Sequence, residues 1–566
     1  MNNHIHIHGI SDPLSWDRGG PAAQLSVVDL RHSILSLAAR TRTCDSLSLN
    51  RSVGVIVFSM KLLVVLALGS TEAGPSTSGV CRMGNCNDTV SYAHTIDCAS
   101  SSPPAGWAIK NSCDLEGDFS AINSRPLPDW YADMKLGIFI HWGVYSVPGY
   151  GSEWYWHNVE CGSKSVKAFQ DANFGPDWQY PSFANLFRAE LFNASAWLAT
   201  FKGAGAQYVL PVAKHHDGFC MWNATDTSPG WNAVQAGPRR DVMQELYDAT
   251  LAADLGFGLY FSQFEWFDAD YVADYRNNFT TTAYVDKKMR RQRRELVDRF
   301  PKSMLWHTDG GWMAPDAYWG NLEWLTWLYS DASPLADHVV TCNSMGFGCC
   351  QQIGSKCWEY GDAPSGGDRT TAGAVVNHFY TNQMTIQQGS WSYDRSEPLA
   401  QYLSAAQLVK ELVQTTAWNG TLVMNVGPTP DGRLAPIFEE RLAAMGGFLA
   451  TNGAAIYATR PWSGSLPSGA EKGGAVYYTA AKDGKTVYAI VLEFPEGGEL
   501  QLAVPRAAPT GTAATLLDGS VPLAWKPAAS GGAGITVTFP PLTPGKLKLI
   551  IRPRVHVLSH FTSHYH

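Results

Sequence analysis

Short apolar runs alternate with amphipathic segments from about residue 127 to residue 457. The segments between the runs, such as 241–253 and 399–415, carry apolar residues at the spacing of a helix. Strands that alternate with helices are typical of a parallel barrel, so this part of the chain predicts an α/β fold, a (β/α)8-like TIM barrel. The predicted barrel strands are residues 136–141, 208–213, 257–261, 304–306 and 422–426.

The pattern changes at about residue 462. From there to residue 553 the apolar positions alternate over short stretches that Gly and Pro interrupt, and Asp483-Gly484 has the composition of a hairpin turn. This pattern predicts a C-terminal antiparallel β-sandwich domain after the barrel. Residues 554–566 show no clear pattern, and we expect them to be a tail.

The N-terminal part of the chain resembles targeting sequence. Residues 60–74 begin with Met-Lys, continue as a short apolar run and end in small residues, which predicts a secretory signal peptide too short to span a bilayer. Residues 1–59 would then be an untranslated or disordered leader, and residues 75–126 a Cys-containing extension. The alternative is that residues 53–68 form a buried strand or helix of a cytosolic protein.

The composition favours a globular enzyme over other classes of protein. Charged residues make up 16% of the 566 positions and aromatic residues 12%, with 21 Trp, which favours a globular enzyme over a disordered protein. The net charge is −8, and the dense basic segment 287–299 contains its own acidic residues, as expected for the exposed face of a helix. We therefore expect no nucleic-acid partner.

Cysteines and glycosylation sequons favour an exported protein. Ten cysteines follow Met60, an even number that suits disulfides, although the sequence leaves their pairing open. A zinc cluster in the segment 342–357 is an alternative, but that segment has no paired C-x-x-C motifs, and we expect no metal. The Asn-x-Ser/Thr sequons are at Asn87, Asn193, Asn223, Asn278 and Asn419.

Polar residues follow the predicted barrel strands, where barrel enzymes carry their active sites. The combination is histidine, carboxylate and tryptophan, without a phosphate-binding glycine loop or a nucleophile elbow. It suits a sugar, because hydroxyl groups need polar partners while the C–H face of the ring packs on indole. The candidate segments are His141-Trp142-Gly143, Ser152-Glu153-Trp154-Tyr155, His215-His216-Asp217-Gly218, Tyr260 with Glu265-Trp266, and Asp309-Gly310-Gly311-Trp312.

Seven motifs give these residues a family resemblance. They are LGIFIHWGVYSVPGYGSEWY, AKHHDGF, GPRRDV, FGLYFSQFEW, LWHTDGGW, SWSY and NGTLVMNVGPTPDG. In order and approximate spacing they resemble the α-L-fucosidases of glycoside hydrolase family 29, and the resemblance to the animal lysosomal type is good from about residue 130 to residue 462. The resemblance implies a retaining exo-glycosidase that removes terminal α-L-fucosyl groups from a fucosylated glycan without a cofactor.

Hydrolysis with retention of the anomeric configuration requires two carboxyl groups with different roles. The resemblance implies that Asp309 is the nucleophile, while its position before two glycines also suits a simple turn aspartate. The family's tryptophan lies two residues before this aspartate, whereas here Trp306 lies three before it and His307 takes that position.

The acid/base residue is less clearly matched. Aligning Cys357 with the family's cysteine implies Glu359 as the acid/base, with Asp362 as the alternative, and both side chains could instead line a polar loop. A further glutamate of the family has no counterpart here, since Thr381 occupies its position.

Substrate contacts follow from the same motifs. Because His215 and His216 are adjacent on an extended segment, we expect their rings to point to opposite faces and not to share a metal. The family's arginine after V-V-x-N is replaced here by Ser344 or Met345, so that contact is predicted to be lost or supplied elsewhere. The residues that the resemblance assigns to fucose binding are His141, Glu153, Trp154, His215, His216, Tyr260 and Trp306.

Two other functions are weighed against an active fucosidase. One is a catalytically impaired, fucose-binding, lectin-like homologue, and the other is a barrel hydrolase for a different sugar. The expected location is the secretory pathway, with a lysosomal, vacuolar or extracellular destination and no membrane association after signal cleavage. The sequence leaves homo-oligomer formation open.

Overall fold

The computed structural model describes residues 127–342, 369, 372–375 and 379–503 except positions 315, 465, 467 and 494. It also describes the C-terminal segments 513–517, 522–527 and 534–540 and the backbone of short strands at 55–58, 62–65 and 556–559. The chain divides into two compact units, residues 1–71 and residues 72–566.

The first unit contains one antiparallel strand pair. Strand β1, Val55–Phe58, pairs with β2, Leu62–Val65, so that Val55 faces Val65. Both strands lie within the segment 53–68, for which the sequence left a strand open as the alternative to a signal peptide.

The second unit is built around a parallel sheet with seven described strands. They are β3 Leu136–Ile140, β4 Tyr208–Lys214, β5 Gly256–Ser262, β6 Ser303–Asp309, β7 Val340–Cys342, β8 Tyr380–Thr385 and β9 Gly420–Val426. Their order in the sheet is β7-β6-β5-β4-β3-β9-β8. Strand β3 pairs with β4 on one side and with β9, the last of these strands in the chain, on the other, so the sheet curls as in a TIM barrel. The outer strands β7 and β8 flank residues 343–378, of which only 369 and 372–375 are described.

Helices connect the strands. The described helices are α1 Asp129–Met134, α2 Tyr155–Glu160, α3 Lys164–Asn173, α4 Ala194–Gly203, α5 Val242–Ala252, α6 Ala269–Arg276, α7 Arg290–Arg299, α8 Asp316–Trp319, α9 Asn321–Leu328, α10 Ala405–Ala417 and α11 Pro436–Asn452. Helix α5 begins after Asp241, whose side chain accepts a hydrogen bond from the Gln244 amide at 3.0 Å. Helix α10 begins after Ser404, which forms a capping box with Gln407, and the predicted helical segment upstream of Ser404 contains only a 3₁₀ turn.

The predicted barrel class and five of its strands are confirmed, while β7 and β8 were not predicted. Strand β7 is only three residues long, and β8 has the sequence YTNQMT, in which polar residues mask the apolar pattern. Both belong to the barrel sheet, because they pair with β6 and β9 respectively.

Side chains of the barrel strands alternate between an inner and an outer layer. The inner layer includes Phe139, Tyr260 and Leu305, whereas Trp306 packs in the outer core between the sheet and the helices. Strand β6 carries a β-bulge: Ser303 pairs with Phe257 and Leu305 with the next residue of β5, so one extra residue stands between them. After this bulge the alternation is regular, so that Leu305 and His307 face inward and Trp306 faces outward.

The C-terminal part of the second unit contains two antiparallel sheets, which agrees with the predicted β-sandwich. Their strands are β10 Thr459–Pro461, β11 Ala470–Glu471, β12 Val476–Ala481, β13 Val487–Val491, β14 Glu499–Leu502, β15 Thr515–Leu516, β16 Ala524–Pro527, β17 Ile535–Thr538 and β18 His556–Ser559. The predicted hairpin turn at Asp483-Gly484 joins β12 to β13. Strand β18 pairs with β13 and β15, so this sheet includes a strand from the segment predicted as a tail.

The sheet that contains β13 is buried on both of its faces. Ala489 and Val491 lie in the apolar core of the sandwich, together with Leu500 and Val537 from the second sheet. Ile490 packs instead in the larger core of the barrel. Successive residues of β13 therefore face opposite sides of their sheet, as expected for a strand.

Among the helices in the described part of the chain, none has both the length and the apolar character needed to cross a membrane.

Candidate active site

The carboxylate of Asp309 lies at the carboxyl end of β6, opposite Ser262 of β5. The Tyr260 hydroxyl donates a hydrogen bond to Oδ2, and the Gly310 amide donates one to Oδ1 at 2.7 Å. His216 Nε2 lies 3.7 Å from Oδ2. The Asp309 side chain keeps 21% of its surface exposed, so the carboxylate is held in a fixed orientation and remains accessible.

Gly310 makes the turn after Asp309 feasible. Its φ is +80°, in the left-handed region that favours glycine, and a Cβ at this position would lie 2.5 Å from the ring of Phe264. A glycine is therefore required for the turn that brings its own amide to the Asp309 carboxylate.

His216 is held in a defined tautomer by its neighbours. Its Nδ1 lies 2.7 Å from the Ser262 hydroxyl oxygen, and that hydroxyl donates its hydrogen to the Phe264 carbonyl at 2.9 Å. Ser262 therefore accepts the bond, and His216 Nδ1 carries the hydrogen. Burial, and secondarily His141, lowers the pKa of His216 well below its usual value, so its Nε2 is an unprotonated acceptor beside Asp309.

His141 is held in a defined tautomer in the same way. Its Nδ1 lies 2.7 Å from Asn425 Oδ1, and the Asn425 amide nitrogen donates to the Trp391 carbonyl at 2.5 Å. His141 Nδ1 is therefore the donor, which leaves Nε2 as an acceptor. Burial lowers the pKa of His141 to about 3, so the ring is neutral at physiological pH.

His215 completes a cluster of three imidazoles. Its ring centroid lies 4.2 Å from that of His216 and 5.8 Å from that of His141, and it stacks on Tyr260 at 5.7 Å. Its buried Nδ1 has no hydrogen-bond partner within the part of the chain that the structure describes. A buried polar atom of this kind is available to a ligand, because leaving it unpaired is costly.

The expectation that His215 and His216 point to opposite faces is wrong. Strand β4 ends at Lys214, so the alternation of a strand does not extend to the two histidines. One ligand atom each from His215, His216 and Asp309 lies within 4.8 Å of the others, close enough for one cation. The sequence argument against a shared metal therefore does not hold, although the same three groups also suit a sugar.

A buried ion-pair network supports the turn that carries these histidines. Lys214 donates to Glu265 at 2.8 Å and to Gln292 at 2.9 Å, and Lys288 also contacts Glu265. Burial alone would raise the pKa of Glu265, but the two lysines outweigh it and lower that pKa. Gly218 has a φ of +72° and lies against the Glu265 carboxylate, so this network fixes both ends of the turn.

Glu153 joins the loop after β3 to the SWSY segment. Its Oε2 accepts hydrogen bonds from the Trp391 amide at 3.1 Å and the Ser392 amide at 3.3 Å. Burial raises the pKa of its carboxyl group. The neighbouring Trp154 is half-buried and meets the ring of His216 edge-on at 5.0 Å, so the predicted pair Glu153 and Trp154 does reach the site.

Trp306 does not reach the site. It is fully buried in the outer layer, where its ring lies 5.0 Å from that of Trp324. His307 faces inward instead, and its ring stacks on Tyr260 at 5.4 Å. The prediction that Trp306 contacts the substrate is therefore wrong, because Trp306 lies three residues before Asp309 on the same strand, and residues an odd number apart face opposite sides of a sheet.

Asn425 and Arg369 lie beside the site, but the sequence patterns did not identify them as site residues. Asn425 was detectable as a polar residue within the apolar run LVMNV, but its partner His141, just after the neighbouring strand β3, is 284 positions away in the chain. Arg369 lies in a segment without a predicted element. It donates to the Thr385 hydroxyl at 2.8 Å, and its guanidinium carbon lies 5.1 Å from the centroid of the Trp391 ring. A positive charge therefore stands beside the pocket.

Other predicted residues fall outside the described part of the chain. These are Glu359 and Asp362, the two acid/base candidates, together with Cys357, Ser344 and Met345. Thr381, which replaces a family glutamate, lies near the amino end of β8, and its hydroxyl lies 2.6 Å from that of Tyr131. It is therefore remote from the carboxyl ends of the strands.

The buried histidine at position 307 gives a pH-dependent stability. Burial lowers its pKa from 6.5 to about 3, so between these values the unfolded chain binds a proton that the folded chain does not. The free energy of unfolding should therefore fall as pH decreases below 6.5. Between about pH 7 and pH 4.5 we expect the free energy of unfolding of His307→Phe to fall by about 2–3 kcal/mol less than that of the wild type. Urea unfolding at the two pH values measures this difference. Equal losses in both proteins would contradict a neutral, buried His307.

An oriented carboxylate surrounded by neutral imidazoles and indole rings, at the carboxyl end of a parallel barrel, defines a barrel enzyme of the glycoside hydrolase class. The family model described as Alpha-L-fucosidase matches residues 107–454, and the model of the Alpha-L-fucosidase C-terminal domain matches residues 471–552. The chain belongs to the α-L-fucosidase family.

Similar proteins agree with this assignment. An alpha-L-fucosidase from Branchiostoma floridae is 42% identical over 432 residues, which cover 76% of this chain and 92% of the relative. The plasma alpha-L-fucosidase of Homo sapiens is 39% identical, with 75% of this chain and 88% of the relative covered. The crystal structure of Thermotoga maritima alpha-fucosidase with a mechanism based inhibitor aligns with a TM-score of 0.63 at 26% identity, covering 78% of this chain and 99% of that one.

Proposed function

We propose that this chain hydrolyses terminal α-L-fucosyl linkages of glycans with retention of configuration, through a covalent fucosyl-enzyme on Asp309. The observation that carries the proposal is the Asp309 carboxylate, which is accessible, is oriented by Tyr260 and Gly310, and faces a cluster of neutral histidines. The fucose-binding, lectin-like alternative finds no support in the family comparisons.

The reaction requires two displacements at the anomeric carbon. In the first, an Asp309 oxygen forms a bond to that carbon while the glycosidic bond breaks, and the leaving oxygen takes a proton from the acid/base, which we assign to Glu359 with Asp362 as the alternative. In the second, the acid/base accepts a proton from water, which attacks the same carbon and releases Asp309. The hydrogen bonds from Tyr260 and Gly310 orient the carboxylate for the first step.

Substrate recognition would rest on the imidazoles and the aromatic rings. The Nε2 atoms of His141 and His216 are acceptors, so they suit the hydroxyl hydrogens of a sugar. Trp154 beside His216 offers an apolar face for the sugar ring. The residues that we propose contact fucose are therefore His141, Glu153, Trp154, His215, His216 and Tyr260.

Turnover of 4-nitrophenyl α-L-fucoside by the purified protein tests this function. Proton NMR of the reaction should show α-L-fucose as the first-formed product, before mutarotation, because two inversions restore the starting configuration. If β-L-fucose forms first, the covalent intermediate is excluded. If no turnover occurs, the proposed function itself fails.

We also propose that the protein acts in the secretory pathway, with a lysosomal or extracellular destination. The supporting observations are the signal-like pattern of residues 60–74 and the relatives named tissue and plasma alpha-L-fucosidase. The sequon residue Asn193 is exposed, as glycosylation requires.

Intact-mass analysis of the protein from a secreting eukaryotic host tests this location. We expect an N-terminus near residues 70–76 and N-glycans on some of the five sequons, which an Asn-glycan-removing enzyme should release as a discrete loss of mass. An unglycosylated product that retains residues 1–59 would contradict both the signal peptide and the expected disulfides.

A further inference from the structure

Three side chains of the candidate active site form a ligand set that suits a divalent cation as well as a sugar. One ring nitrogen each of His215 and His216 and one carboxylate oxygen of Asp309 lie within 4.8 Å of one another. His216 Nε2 and Asp309 Oδ2 are 3.7 Å apart. Tetrahedral zinc, with bonds of about 2.0–2.2 Å to nitrogen and oxygen, holds its ligand atoms about 3.4 Å apart. The three groups can therefore reach one zinc ion with side-chain shifts of about 1 Å or less.

His216 has the surroundings of a metal-ligating histidine. Its Nδ1 donates to the Ser262 hydroxyl at 2.7 Å, and that hydroxyl donates onward to the Phe264 carbonyl at 2.9 Å. The lone pair of the ring therefore lies on Nε2, the nitrogen beside Asp309. Metal-bound histidines typically donate their second ring N–H in this way, which fixes the tautomer and the ring orientation. The Phe264 ring also stacks on that of His216 at 4.2 Å, so Nε2 is held in position before any ligand binds.

The other two ligands are available to a cation. His215 is buried, and its Nδ1 has no hydrogen-bond partner among the residues that the structure describes. The Asp309 side chain keeps 21% of its surface exposed, which gives a cation a path from solvent. Asp309 Oδ2 accepts a hydrogen bond from Tyr260, but a carboxylate oxygen has a second lone pair. Lys214, which precedes the two histidines, is paired with Glu265 at 2.8 Å, so its positive charge is compensated.

We propose that His215, His216 and Asp309 bind one zinc ion in the place of the sugar, as an inhibitor and not as a cofactor. Two imidazoles with one carboxylate favour zinc over magnesium and calcium, which prefer sites built of oxygen ligands. The bound zinc takes the lone pair of Asp309 that the first displacement needs, and it occupies the position of the fucosyl group. The inhibition rests on the proposed function, whereas zinc binding itself does not.

Calorimetric titration of the full chain with zinc chloride tests the site. Other histidines near the two ends of the chain, at positions 4, 6, 8, 560, 564 and 566, contribute the same background to every variant. We expect the wild type to bind one zinc ion more than His215→Ala, and saturating L-fucose should displace that ion. Ser262→Ala should weaken this one site about ten- to a hundredfold, because the His216 ring loses its orienting partner.

The matched control for the titration is His338→Ala. His338 is a half-buried histidine that precedes β7, at the opposite end of the strands from the site, so its removal should leave zinc binding unchanged. Thermal unfolding shows whether each variant is folded. Equal zinc stoichiometry and affinity in the wild type and His215→Ala would overturn the proposal. Zinc that stays bound in saturating fucose would also overturn it, and this result needs only the wild-type chain.

Kinetics show whether the zinc ion competes with the substrate. At about ten times its dissociation constant, zinc should raise the apparent KM for 4-nitrophenyl α-L-fucoside about elevenfold and leave kcat unchanged. Magnesium chloride at the same concentration should change neither constant. Zinc inhibition that lowers kcat at an unchanged KM would overturn the proposal. Absent turnover without zinc would overturn only the proposed function, because the calorimetric titration requires no turnover.

Discussion

Asp309→Ala is expected to lower kcat on 4-nitrophenyl α-L-fucoside by several orders of magnitude while fucose binding and the fold are retained. The carboxylate provides the covalent bond of the intermediate, which no neighbouring group can replace. The fold should be preserved in this variant because the Asp309 side chain lies at a strand end and is partly exposed. Steady-state kinetics, fucose titration and thermal unfolding measure the three quantities.

A matched control is Asp298→Ala, on the exposed side of α7, which should leave kcat unchanged. Azide provides a stereochemical check on Asp309→Ala: it can attack the substrate directly, with a single inversion, and should yield β-L-fucosyl azide. A variant that keeps more than about a tenth of wild-type kcat would show that Asp309 is not the nucleophile.

Glu359→Ala should slow fucosyllactose far more than an activated aryl fucoside. A poor leaving group needs protonation in the transition state, worth roughly 10²–10⁴ in rate, whereas a nitrophenolate does not. Azide needs no base, so it should capture the fucosyl-enzyme and restore turnover of the aryl fucoside. Because this capture is a second inversion, the product should be α-L-fucosyl azide, which NMR distinguishes from the β anomer.

Asp362→Ala is the matched comparison for the acid/base assignment. We expect it to cause a modest loss of similar size on both substrates, with no azide rescue. Rescue of Asp362→Ala in place of Glu359→Ala, with α-L-fucosyl azide as the product, would move the assignment to Asp362. Rescue of neither variant would place the acid outside the segment 357–362.

Local sequence patterns were sufficient to predict most of the barrel. Strands β3, β4, β5 and β9 are largely apolar runs because both of their faces are buried, and β6 has such a run at residues 304–306. Strand β8 was not predicted because residues such as Asn382 are polar yet buried. Their hydrogen-bond partners belong to other elements of the fold, since the Asn382 amide donates to the Thr415 hydroxyl at 2.7 Å. Polarity alone therefore did not indicate exposure.

Short contiguous patterns in the chain were enough to establish the barrel class, the family and the placement of Asp309, Tyr260 and the paired histidines at strand ends. Which side chains face the pocket depended on the folded arrangement. His307 faces inward and Trp306 outward along β6, and the two paired histidines lie close together because β4 ends before them. Bulges, strand ends and the long-range partners of side chains depend on packing between distant segments of the chain. Short sequence patterns do not contain this information.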